Sequence, residues 1–195
     1  MDTVVYFDFE TGGVEPTHPN IQLAAVAMYG SKELEAFEAK IAFEEAAADP
    51  EALRLNGYTR EAWSGARNEA SVLRDFSDFL RHHATVPMVS KAGKPYRLAR
   101  LAGHNVASFD CPRLVAAFKR YDLFLPGTAF QPLDTYQRAL WWVHEQEPEK
   151  PPHNFKLATL CDYFQIDASG AHDALVDVRL CARLAWRLAA EPELF

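Results

Sequence analysis

Asp8-Phe9-Glu10-Thr11, His104-Asn105-Val106-Ala107-Ser108-Phe109-Asp110 and His172-Asp173-Ala174-Leu175-Val176-Asp177 lie far apart in the chain, and each sets acids among apolar residues. Four carboxylates and a histidine brought to one spot would hold two divalent cations and activate a water. In a strand, residues i and i+2 share a face, so Asp8 and Glu10 stand side by side roughly 6–7 Å apart. Two carboxylates there repel and lose hydration unless a cation lies between them. The plainer alternative is a strand end reaching solvent. On a C-terminal helix, Asp177 shares the stripe of Leu180, Cys181, Leu184 and Leu188, which is the core face. An acid aimed inward is paired or ligates metal, and a salt bridge to a distant arginine competes with the metal reading. His172 precedes Asp177 by five residues, about 500° of helix, so it reads as a loop residue, with Asp173 as N-cap. A loop histidine near a metal-bound water suits a general base, although most loop histidines are plain surface. Asp110, just before Pro112, sits at a helix start, where an acid also favours the helix dipole.

Positioning these residues requires strands and helices in a particular order. Val4 to Glu10 reads as a central strand with apolar or aromatic residues on both faces. Ile21–Tyr29 and Leu34–Phe43 read as strands joined by a hairpin at Gly30-Ser31. Asp49-Pro50 opens a short helix that ends near Asn56-Gly57. Val72, Leu73, Phe76, Phe79 and Leu80 recur at helical spacing. A glycine- and lysine-bearing connector runs to about Arg97, and Leu98–Val106 reads as a buried strand. Helices are expected from near Pro112, from Asp134-Thr135 through Trp142, over 155–164 and over 173–190, with a short strand at 128–134. The order predicts an α/β fold, a mixed central sheet flanked by helices.

The chain of 195 residues is long enough for one well-cored domain, expected over 1–195, and it is 49% apolar and 24% charged. No apolar run approaches bilayer length, and with strand-like sequence from residue 3 no detachable leader is expected. Cys111, Cys161 and Cys181 are odd in number and form no CxxC pair. Neither a disulfide framework nor a zinc site is expected, which favours the cytoplasm. A net charge of −7 argues against an unspecific nucleic-acid coater. From Arg81 to Arg100, however, Arg81, Lys91, Lys94, Arg97 and Arg100 occur with no acid among them. That run is either a solvated loop or an arm for a phosphate backbone.

Asp8, Glu10, Asp110, His172 and Asp177, in this order, resemble the DEDDh (DnaQ-like) family of 3′→5′ exonucleases. The similarity extends to Leu55-Asn56-Gly57-Tyr58-Thr59, Leu133-Asp134-Thr135 and Phe155-Lys156-Leu157-Ala158-Thr159-Leu160. Five positions separate Asn105 from Asp110, and Cys111-Pro112-Arg113-Leu114 follows, a spacing similar to the three-prime repair exonucleases. Motif I departs from many members in reading Thr11-Gly12-Gly13. The resemblance implies a ribonuclease H-like fold, two Mg²⁺ ions replaceable by Mn²⁺, and DNA, with single-stranded 3′ ends, as substrate. It implies that Asp8 bridges both ions, that Glu10 and Asp177 complete one, that Asp110 reaches the second through water, and that His172 is the base. Thr11 and Gly12 would offer amides to the terminal 3′-hydroxyl. Phe9 and Phe109 would stack on or wedge between bases unless they pack in the core, and Asn105 would contact substrate, with Lys91, Lys94 and Arg97 on its backbone. A ribonuclease T- or oligoribonuclease-like enzyme on RNA and a non-catalytic, polymerase-associated module remain as alternatives. A DNA polymerase or a second copy of the chain is a candidate partner.

Overall fold

The computed structural model describes residues 2–169 and 173–189. Its frame is a five-stranded mixed sheet of β1 (Thr3–Thr11), β2 (Asn20–Tyr29), β3 (Lys32–Lys40), β6 (Arg100–Gly103) and β7 (Leu133–Asp134), ordered β3-β2-β1-β6-β7. The first three strands form an antiparallel meander, whereas β6 runs parallel to β1 and β7 parallel to β6. This is the mixed α/β sheet that the element order predicts.

β1 is the middle strand and alternates strictly between buried and half-buried residues. Val5, Phe7 and Phe9 join Leu23, Ala25 and Ala27 in the main core under α2 (Glu69–His82) and α3 (Asp110–Arg120). Helix α2 contributes Val72, Leu73, Phe76, Phe79 and Leu80 to that core, the stripe its sequence period requires. On the opposite face Tyr6, Ala24 and Val26 meet Ala174 and Val178 of α6 (Ala174–Ala189). A third cluster joins α6 through Leu184 and Leu188 to α4 (Thr135–Gln146) and α5 (Leu157–Tyr163). The expectation of apolar residues on both faces of β1 thus holds for Tyr6. One step further along, the same face carries Asp8 and Glu10.

Several boundaries differ from the sequence reading. β3 ends at Lys40, three residues before the expected Phe43; Ile41 still donates to the Ile21 carbonyl of β2 at 2.8 Å and also bridges Arg67. β6 is only four residues long, and β7 is reduced to two. Between α2 and β6 the expected connector is a hairpin of β4 (Val86–Val89) and β5 (Pro95–Leu98), forming a separate two-stranded sheet. Val86, Met88 and Val89 in β4 and Tyr96 and Leu98 in β5 carry the apolar side chains, but Pro87 and Pro95 mask the strand signal. Helix α1 (Pro50–Leu55) forms as its signals indicate: the Asp49 side chain accepts from the Glu51 amide, and Gly57 takes the left-handed conformation. No described helix is long and apolar enough to cross a membrane. All three cysteines are free and buried.

Candidate active site

β1 sets the Asp8 and Glu10 side chains on its α6 face because Phe7 and Phe9 claim the other one. The carboxyl of Asp8 is held well above the usual carboxylate range. Loss of hydration is the largest cause, followed by the negative charges of Asp110, Glu10 and Asp177. Four acids from β1, α3 and α6 therefore act on one point. Asp8 as a residue is half-buried.

Asp110 opens α3 and is 2% exposed. Its Oδ1 accepts a hydrogen bond of 3.1 Å from the Phe9 amide, pinning the helix start to the strand between the two motif I acids. Burial pushes its carboxyl up to about 7, with Glu10 adding to the rise, even though the Phe9 amide, its own amide and Arg113 pull it down. The helix-dipole reading of Asp110 accounts for only part of this, since an exposed N-terminal acid would not be so desolvated. Asp177 sits in the first turn of α6, half-buried, on the side that carries Leu180, Cys181, Leu184 and Leu188 inward. Its N-cap is Asp173, whose Oδ1 accepts from the amides of Leu175 and Val176 at 3.1 Å. His172 lies outside the described residues, and its neighbour Asp173 is exposed at the helix mouth.

The remaining site expectations divide. Phe109 is half-buried beside Asp110, with the Arg113 guanidinium 4.5 Å from its ring centre. Asn105 is exposed and holds a left-handed backbone (φ 57°), a conformation asparagine tolerates. Thr11 is buried, and its hydroxyl donates to the Gly13 carbonyl at 2.9 Å. Three expectations need correction. The ring of Phe9 is 4% exposed and meets Phe7 edge-on at 6.2 Å, so it packs the core and cannot stack on a base. The Gly12 amide already donates to the Pro19 carbonyl at 2.8 Å, so it has no hydrogen left for a 3′-hydroxyl. Gly12 is there for space instead, since a Cβ would come within 2.7 Å of Ala48. Third, Lys91, Lys94 and Arg97 belong to the β4–β5 hairpin, tied by Arg97 to the Thr85 carbonyl. Thr85 in turn donates to Thr3, at the start of β1. The carboxylates lie toward the other end of that strand, roughly 20 Å away for the rise from Val4 to Glu10, so the foot of this strip, at Arg97, does not border the site.

Residues outside the candidate ligand set fix the surrounding loops. Asp134 accepts from the amides of Asn105 and Ala107 at 3.0 Å and from Tyr136 at 2.9 Å, shaping the turn that leads to Asp110. His104 bridges the Thr135 hydroxyl and the Phe155 carbonyl, both at 2.9 Å, and burial lowers its pKa. The Asn56 side chain donates to the Thr11 carbonyl at 2.9 Å. Arg113 donates to the carbonyls of Gly13, Val14, Glu15 and His18 at 2.8–3.2 Å, clamping the loop after motif I. The family segments around Asn56, Asp134 and Phe155, and the run Cys111-Pro112-Arg113-Leu114, carry the sequence signal for these residues, though not for the contacts they make.

An all-oxygen donor set of buried and half-buried, mutually repelling carboxylates fits hard divalent cations, which prefer oxygen ligands. Among known proteins, the RNase_T family model, described as Exonuclease, matches residues 5–185. The chain is 30% identical over 194 residues to the PolC-type DNA polymerase III of Latilactobacillus sakei, and 28% identical over 189 residues to that of Bacillus subtilis. Each alignment covers 96% of this chain but 11% of the relative, so the chain spans about a tenth of those polymerases. By structure it is similar to Escherichia coli exonuclease I in complex with a dT13 oligonucleotide, with a TM-score of 0.73, 22% identity and coverage of 95% of this chain and 40% of that one. The complex of the same exonuclease with a dA16 oligonucleotide gives a TM-score of 0.70 at 23% identity, and these likenesses establish the ribonuclease H-like fold. With the family match running through all three acidic motifs, the chain belongs to the DEDDh (DnaQ-like) family of 3′→5′ exonucleases.

Proposed function

We propose that this chain is a metal-dependent 3′→5′ exonuclease that releases nucleoside 5′-monophosphates from the 3′ ends of DNA, single-stranded or frayed. The observation that carries the reading is the convergence of Asp110, Glu10 and Asp177 on the Asp8 carboxyl. Such a cluster costs stability unless cations neutralise it. Asp8, Glu10, Asp110 and Asp177 would hold two Mg²⁺ ions, with Mn²⁺ as a substitute. When bound, the ions supply a nucleophile at neutral pH and neutralise charge on the scissile phosphate. Glu10 and Asp177 would hold the ions together with Asp8, on which their charges converge. Asp110, fixed by the Phe9 amide, keeps one oxygen directed by that bond. His172 accepts the proton of the attacking water as general base, which requires its neutral form.

Phe109, held by Arg113 at the edge of the cluster, offers a ring against which the terminal base unstacks. Asn105 and Thr11 border the same approach. DNA is favoured over RNA because the curated relatives are DNA polymerases and exonuclease I is seen with deoxyoligonucleotides. Association with a DNA polymerase is the corresponding partner proposal. The test is a 3′-labelled panel of DNA and RNA, single- and double-stranded, with Mg²⁺ or Mn²⁺. Release of labelled mononucleotide from single-stranded DNA supports the reading. Release only from RNA of two to five nucleotides would make the chain an oligoribonuclease, and no release from any substrate would make it a binding module.

A further inference from the structure

Glu35, His82 and His83 form a second cluster of ligand-bearing side chains, on the opposite face of the sheet from Asp8, Glu10 and Asp177. Their potential ligating atoms all lie within 4.8 Å of one another. Glu35 stands two residues before Phe37, whose ring packs against Phe76 and Phe79 of α2 at 5.3 and 5.7 Å, so Glu35 shares the α2 face. His82 closes α2 and His83 is its C-cap. The His83 ring is nearly buried, edge-on to Phe79 at 4.8 Å, and its Nε2 lies 2.8 Å from Glu35 Oε2. The exposed His82 ring lies 4.8 Å from the His83 ring, centre to centre.

We propose that Glu35, His82 and His83 bind a transition-metal ion of the zinc class, with water in the fourth position, and so lock edge strand β3 to the end of α2. A tetrahedral ion at about 2.0–2.1 Å from its ligands holds neighbouring ligand atoms about 3.4 Å apart. The present spacing brackets that value: the Glu35–His83 contact opens by about half an ångström, and the His82 ring swings inward at the surface. Two imidazoles and one carboxylate select zinc, nickel or copper and are poor ligands for magnesium, which seeks oxygen. A plain Glu35–His83 hydrogen bond accounts for two of the three residues and gives His82 no role.

The test is calorimetric titration of the full chain and of its Asp8→Ala variant with Zn²⁺ under saturating Mg²⁺, with Co²⁺ as a spectroscopic probe; Zn²⁺ taken up by the carboxylate cluster is lost in Asp8→Ala, whereas that at Glu35, His82 and His83 remains. One Zn²⁺ per Asp8→Ala chain, a raised thermal midpoint and tetrahedral cobalt absorption are expected. His82→Ala and Glu35→Gln should each weaken Zn²⁺ binding at least tenfold while leaving mononucleotide release in Mg²⁺ unchanged. His82 is exposed, so His82→Ala tests the ligand set without disturbing the core. Absence of Zn²⁺ binding by the Asp8→Ala chain overturns the site, as does unchanged binding by His82→Ala. Because neither variant touches the carboxylate cluster, failure here leaves the exonuclease proposal standing.

Discussion

Asp110→Asn should make the metal-free protein more stable at pH 8 and leave it nearly unchanged in acid. The Asp110 carboxyl is pushed to about 7 in the fold, against roughly 3.9 in an unfolded chain. Between those values the folded protein binds the proton and the unfolded chain has released it. Stability therefore falls as pH rises through that window and levels off above it. At pH 5 the penalty covers about one pH unit and at pH 8 all three, at roughly 1.4 kcal/mol per unit. Asparagine keeps the shape and the acceptor for the Phe9 amide but carries no charge. Relative to the variant, the parent should lose about 2–3 kcal/mol between pH 5 and pH 8. The assay is equilibrium urea unfolding of both proteins in EDTA at the two pH values. Adding Mg²⁺ or Mn²⁺ at pH 8 should restore the parent and help the variant less, by linkage to binding. Parallel pH dependences in EDTA, or a variant less stable than the parent at pH 8, would refute the argument from buried charge.

Asp8→Ala and Asp177→Ala should abolish mononucleotide release while the chain stays folded, with metal-free stability unchanged or raised because repulsion is relieved; circular dichroism and product chromatography check both halves. His172→Ala should cost roughly 10²–10⁴-fold in rate and flatten the rise in activity expected as pH passes about 6–7, and an unaltered pH–rate profile would remove His172 as the base. Arg113→Ala frees four carbonyls of the loop after motif I and loosens Phe109. It should raise KM on single-stranded DNA more than it lowers kcat, with a stability loss of about 1–3 kcal/mol by denaturation.

The sheet and its helices were legible where one period ran long enough. The α2 stripe, the alternation in β1 and the Asp134 cap each carry a local signal that tertiary structure leaves intact. The β4–β5 hairpin was not legible, because Pro87, Pro95 and exposed lysines hide four-residue strands that pair only with each other. At the site, the sequence distinguishes acids placed in strands and apolar stripes, so the Asp8–Asp110–Asp177 convergence could be anticipated. The two faces of β1 could not be assigned so readily, since Phe7, Phe9, Asp8 and Glu10 alternate without showing which side the helices cover. Phe9 thus read as either a substrate contact or core packing, and α2 and α3 bury it in the core. Likewise, nothing local reveals that the Gly12 amide is taken by Pro19 or that the basic hairpin emerges from the far end of the sheet. Those facts depend on long-range pairing.

The central claim, a carboxylate cluster that cuts nucleic acid from the 3′ end, is tested most directly by single-turnover digestion of a 3′-labelled single-stranded DNA in Mg²⁺ by the parent and by Asp8→Ala. The account predicts labelled nucleoside 5′-monophosphate as the first product of the parent, none from Asp8→Ala, and none when the 3′ end is blocked. Internal cleavage products, or equal release by Asp8→Ala, would contradict it.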